Sequence, residues 1–181
     1  MRAVAGLDRR LDAAASVLRG RPLIDRCLYS ASALGELSAL WQVLAAVRAL
    51  RGDRRAAVRA SAGLALESVL VNGVVKLAFR RTRPESQDPR PHRLRRPRSS
   101  SFPSGHASAA AFAVVVLGED DPLLPLYVVL AVMVAWSRVH VRIHHPSDVL
   151  AGAALGAALG LAARRAVPLH PREESAVRST G

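Results

Sequence analysis

The sequence predicts an all-α protein: a multi-pass membrane helix bundle of about five spans plus an N-terminal amphipathic helix. Three observations predict it. Half of the 181 residues are apolar while aromatics make up only 4%, so Ala, Leu and Val supply the apolar surface. That surface is gathered into five separate runs, and glycine in the last run recurs at helical spacing. Five such runs in a chain of single-domain length leave little polar helix surface to meet water.

The elements follow in chain order. Residues 1–27 mix Leu7, Leu11, Val17, Leu18, Leu23 and Ile24 with arginines and contain no apolar stretch long enough for a signal-peptide core. They read as an interfacial amphipathic segment with its cations near anionic headgroups. The runs Ser32–Leu50 and Ala60–Phe79 approach the ~20 residues needed to cross ~30 Å of hydrocarbon. Ser104–Gly118, Leu123–Trp136 and Val149–Ala163 are shorter and reach that length only with the residues at their ends included. Glu67 falls inside the second run, and pairing with Arg48 or Arg59 would account for a carboxylate there. Gly152, Gly156 and Gly160 form one small-residue stripe that permits close helix approach and offers a face for an oligomer. Arg80–Ser101 carries eight arginines and no apolar run, and it reads as a loop. Residues 168–181 read as a mobile tail. All 181 residues form one domain.

The formal charge of +12 comes almost wholly from arginine; Lys76 is the one lysine in the chain. Nucleic-acid modules set basic residues beside aromatics or on a groove-entering helix. Here the basic residues flank apolar runs, which argues against a nucleic-acid partner. Cys27 is the single cysteine, so no internal disulfide forms.

Three short stretches stand out from this background. Lys76 to Pro84 reads K-x6-R-P, with Arg83 as its arginine. Pro103-Ser104-Gly105-His106 follows, and then Ser137-Arg138, His144 and Asp148 read S-R-x5-H-x3-D. Together, in this order, they resemble the type-2 phosphatidic acid phosphatase family, whose relatives include bacterial acid phosphatases and vanadium haloperoxidases. The resemblance runs from Lys76 to Asp148 and implies a metal-independent phosphatase with no cofactor.

The residue types suit that chemistry. A phosphate monoester carries nearly two negative charges, and its transfer spreads charge over three equatorial oxygens. Lys76, Arg83 and Arg138 supply three cations from three segments, with Ser104 and the Gly105 N–H as further phosphate-binding donors. A helix beginning at Gly105 would add free N–H groups and a favourable dipole. His144 is the candidate nucleophile and needs its second ring nitrogen held by an acceptor. Asp148, in the first turn of a helix starting near Pro146, could hold that nitrogen. His106 is the candidate general acid for the leaving alkoxide and base for the water that follows.

His140 and His145 beside His144 could suggest a metal cluster, but the spacing fits no metalloprotease pattern and carboxylates to complete one are lacking. A haloperoxidase would use the same residues to cradle vanadate, yet those relatives are large soluble proteins. The expectation is therefore an integral protein of the cell membrane that hydrolyses a lipid phosphate through a phosphohistidine. A polyprenyl-linked phosphate is the best substrate match, with phosphatidate or phosphatidylglycerophosphate behind it. Orientation stays open: family analogy points the site outward, whereas the arginines point it to the cytoplasm.

Overall fold

In the computed structural model the described residues are 2–85 and 99–169, and among them every regular element is a helix. Residues 86–98 of the arginine-rich loop and residues 170–181 of the tail, with His92 and His170, lie outside the described residues.

The N-terminal segment is two helices rather than one. Helix α1 spans Arg2–Ser16 and α2 spans Pro22–Leu34, with Gly20 at φ +82° in the turn between them. Pro22 sets the start of α2, where its missing N–H has no partner to lose. Helix α1 does not merely rest beside the bundle. Its Ala15 is fully buried and its Asp8 is 7% exposed, bonded to residues of the last helix.

The first expected span is broken. After α2 come Gly35 and a 3-10 turn, Glu36–Ser38, before α3 resumes at Ala39–Leu50, so that the two helices meet at 72°. At the break Ser38 takes a left-handed φ of +58°, and Gly35 packs closely on two later side chains: a Cβ there would sit 2.8 Å from the His106 ring and 3.1 Å from Val134.

Helix α4, Arg54–Ser68, starts earlier than its apolar run because Asp53 caps it, accepting from the Ala56 N–H at 3.0 Å. It continues as a π-helical stretch, Val69–Val74, and a 3-10 turn, Val75–Ala78. Helix α5 is Gly105–Leu117, α6 is Leu124–His140 and α7 is Pro146–Ala166. Ser104 caps α5 by accepting from Ala107 N–H.

By length and composition, the described helices do not confirm five full spans. Arg54–Ala78 (25 residues) and Pro146–Ala166 (21 residues) are long and apolar enough to cross a membrane, and the bent α2–α3 pair could make a third crossing. The 13 residues of α5 and 17 of α6 rise about 20 and 25 Å, short of ~30 Å of hydrocarbon.

Helix α5 is the centre of the bundle, packed against α4, α6 and α7. Its Phe112, Val116 and Leu117 meet Trp41, Leu64, Tyr127 and Val134 in the main core. An apolar helix rich in alanine can be enclosed on all sides in this way. The glycine stripe of α7 faces α5. A Cβ at Gly152 or Gly156 would overlap the backbone carbonyl of Ser104 or Ser108. The stripe read as an oligomer face is occupied within the chain, where it brings α5 and α7 into close contact.

Candidate active site

The starts of α5 and α7 meet the ends of α6 and of the α4 extension at one end of the bundle. Ser104 N donates to Asp148 O at 2.9 Å, tying the first turns of α5 and α7 together. The carbonyl of Arg138 accepts from Ile143 N at 3.2 Å and His144 N at 3.1 Å, closing the loop between α6 and α7. All eight residues singled out by the motifs are gathered on this frame.

The cations come from three elements. Lys76 Nζ donates to Asn72 Oδ1 at 2.9 Å, and Asn72 Nδ2 donates to Ser68 Oγ at 3.3 Å, a polar ladder along the helix. Arg83, 9% exposed, donates to the carbonyls of Ile143 at 2.9 Å, Ser100 at 3.1 Å and Ser99 at 3.2 Å. Arg138, 2% exposed, donates to Ser32 Oγ of α2. Lys76, Arg83 and Arg138 lie within electrostatic reach of one another and of His106. Like charges held together in this way favour an anion among them. Gly105 leaves room for Asn72, whose Oδ1 would be 2.5 Å from a Cβ there.

His144 sits in the loop and is almost wholly buried. Arg83 Nη1 approaches its Nε2 at 3.3 Å, and Ser101 O lies 2.7 Å from its Nδ1. A guanidinium can only donate and a carbonyl can only accept. The two contacts assign the proton to Nδ1, donated to Ser101 O, and leave the lone pair on Nε2. Burial, aided by the charges of Arg138 and Arg83 and opposed by Asp148, lowers the pKa of His144 from 6.5 to about 4. At neutral pH the ring is uncharged.

Asp148 does not hold the ring directly. Its Oδ2 is 3.8 Å from His144 Nδ1, an ion-pair distance rather than a hydrogen bond. The carboxylate is engaged elsewhere: Oδ2 accepts from His145 N at 2.8 Å, closing the first turn of α7, and Oδ1 accepts from Arg81 Nη1 at 2.6 Å. His106 lies one residue into α5 against Gly35, and its Nε2 is buried with no hydrogen-bond partner.

Motif reading passed over several supporting residues. Arg81 bridges Asp148, Ser147 and Asp8 of α1, the last at 2.7 Å. It lies inside K-x6-R-P, but the pattern leaves its position unspecified. Ser101 contributes through a backbone carbonyl, which no side-chain pattern can reveal. The histidines near the site have structural partners. His140 Nε2 lies 2.7 Å from Asp25 Oδ1, and His145 Nε2 lies 3.2 Å from Thr82 O. The pairing expected for Glu67 does not form. Arg59 pairs with Glu119 and Arg48 with Asp53, while Glu67 is 2% exposed and lies beside Ser108.

A neutral buried imidazole with its lone pair facing fixed cations, at the end of an apolar helix bundle, belongs to a membrane phosphatase. Comparison with known proteins places it further. Residues 56–172 match the PAP2 superfamily, and the chain belongs to that superfamily. It is 36% identical over 151 residues to decaprenylphosphoryl-5-phosphoribose phosphatase of Mycolicibacterium smegmatis, covering 81% of each chain. The enzyme of the same name from Mycobacterium tuberculosis is 34% identical over 146 residues, covering 80% of this chain and 81% of that one. Among solved structures, the transmembrane PAP2-type phosphatidylglycerolphosphate phosphatase of Bacillus subtilis superposes with a TM-score of 0.73 at 26% identity, covering 96% of this chain and 90% of that one.

Proposed function

We propose that the protein is a multi-pass enzyme of the cell membrane that hydrolyses a polyprenyl-linked phosphate through a phosphohistidine on His144. The carrying observation is the neutral His144 with its Nε2 lone pair beside the Arg83 guanidinium. The names of the mycobacterial relatives support the polyprenyl assignment.

In this reading Lys76, Arg83 and Arg138 bind the phosphoryl oxygens with the Ser104 hydroxyl and the Gly105 N–H, at the N-terminus of α5. Nε2 of His144 attacks phosphorus, the bond to the lipid oxygen breaks, and His106 gives its proton to that oxygen. Positive charge developing on the imidazole is shared with Ser101 O through Nδ1–H and met by the Asp148 carboxylate at 3.8 Å. Water then attacks phosphorus, passes its proton to His106, and the N–P bond breaks to release inorganic phosphate. Arg81 is a positioning residue that holds Asp148.

A panel of lipid phosphates tested on the purified protein decides this. Phosphate release should be fastest from a polyprenyl-linked monophosphate, persist in excess chelator, and fall by about a thousandfold or more in His144→Ala. Substantial turnover by that variant would overturn the nucleophile. Faster release from phosphatidate or phosphatidylglycerophosphate would move the substrate to a diacyl lipid.

A further inference from the structure

One feature of the fold is left over by the catalytic account. An apolar cavity of about 430 Å³ lies between α2 and α6 and reaches Leu40 of α3. Its α2 wall is a stripe at three- and four-residue spacing, Leu23, Cys27, Ala31 and Leu34; Leu130, Met133 and Val134 form much of the α6 wall. That volume falls within the ~300–1,000 Å³ typical of small-molecule sites.

The cavity adjoins the candidate site at two points. Val134 lines it and also packs on Gly35, the residue pressed against the His106 ring. Ala31 lines it, and the next residue, Ser32, holds Arg138, one turn beyond Val134 on α6. The wall between an apolar volume and two groups of the phosphate site is thus a single layer of residues.

We propose that this cavity holds part of the hydrocarbon chain of the substrate. The proposal rests on the reading of the site as a lipid phosphatase. Charge complementarity anchors the headgroup at Arg138, and the chain, once past the single layer of Ala31, Gly35 and Val134, has an apolar groove along α2. One groove between two helices accommodates one chain, which favours a single-chain polyprenyl phosphate over a diacyl lipid. Chain held in the groove would separate lipid from water-soluble substrates in KM.

Cys27 provides the test, because it is the sole cysteine, is exposed and lines the cavity. The intact protein is labelled with a bulky maleimide and assayed on a polyprenyl monophosphate and on 4-nitrophenyl phosphate. Labelling should raise KM for the lipid about tenfold or more, with turnover of the soluble ester unchanged. The lipid should slow the labelling itself, and Cys27→Ser should lose sensitivity to the reagent relative to its own untreated rate. Met133→Trp, which fills the opposite wall, should reproduce the split between the two substrates. Equal loss on both substrates, or no loss on either, would overturn the cavity assignment while leaving the phosphatase reading intact. An unlabelled protein inactive on both substrates would overturn the site reading, and this proposal with it.

Discussion

The two ends of the helix bundle both bury arginine, but they hold it by different means. Where α5 and α7 finish, Arg48 donates to Asp53 at 2.7 Å and Arg59 pairs with Glu119 at 2.5 Å. The same guanidinium groups cap helix ends, Arg48 on Leu117 O and Arg59 on Val116 O and Val167 O. Where α5 and α7 begin, Arg83 is held by the carbonyls of Ile143, Ser99 and Ser100, Arg138 by the Ser32 hydroxyl and Lys76 by the Asn72 amide. The first arrangement cancels charge and closes terminal carbonyls. The second includes contacts from its cations to neutral oxygens among the described residues. Burial alone does not tell the two sets apart.

The sharpest break between the ends should come from two substitutions measured side by side. His144→Ala should lower kcat/KM by about a thousandfold or more with a melting temperature close to the parent's. Arg48→Ala should destabilise the fold by about 3–5 kcal/mol, because Asp121 and the carbonyls of Leu117 and Glu119 lose a buried partner, while turnover per folded molecule is retained. Denaturation in detergent with parallel phosphate-release assays checks both. Loss of activity without loss of stability in Arg48→Ala would erase the distinction.

Acid should unfold the two ends in different ranges. His144 has a lowered folded pKa, so between pH 6.5 and about 4 the unfolded chain binds the extra proton. Its contribution is full above pH 6.5 and is lost as pH falls toward 4. Asp53 and Asp121 also have lowered values, with the cost of burial outweighed by backbone N–H groups and by Arg48 or Arg51. Their contribution is present above the ordinary 3.8 and lost only below it. Melting curves at pH 7, 5.5 and 4.5 should show a decline on the order of a few kcal/mol in the parent that is reduced in His144→Ala. Equal decline in both would remove His144 as its source.

The smallest effect tests the geometry of a site cation. Arg138→Lys keeps the charge but loses the planar fork, so kcat/KM should fall about tenfold. A value equal to the parent's would mean that charge alone suffices at that position.

The gathering of the motif residues was more legible in the sequence than the architecture. Lys76, Arg83, Ser104, Gly105, His106, Arg138, His144 and Asp148 are spaced by motifs, and helix starts at Gly105 and Pro146 follow from their capping residues. What the sequence hid depends on contacts distant in the chain. Gly35, beside the bend, packs against a histidine 71 residues later, a contact that a hydropathy window cannot register. The proton acceptor of His144 is a backbone carbonyl at Ser101, a position any residue type could fill. Glu67, a carboxylate inside an apolar run, is expected to pair with Arg48 or Arg59, yet those arginines meet Asp53 and Glu119. The glycines of α7 announced a close contact but not its partner.

That contact has a graded consequence. A Cβ at Gly152 or Gly156 would overlap backbone carbonyls of α5, whereas at Gly160 it would meet Val115 Cβ at 2.9 Å and the Phe112 carbonyl at 3.2 Å. The two helices therefore approach more closely at Gly152 and Gly156, toward the end where Ser104 N meets Asp148 O, than at Gly160. The placing of His144 relative to His106 depends in this fold on methyl groups that are absent from the face of α7 turned to α5. A search confined to substrate contacts would overlook them.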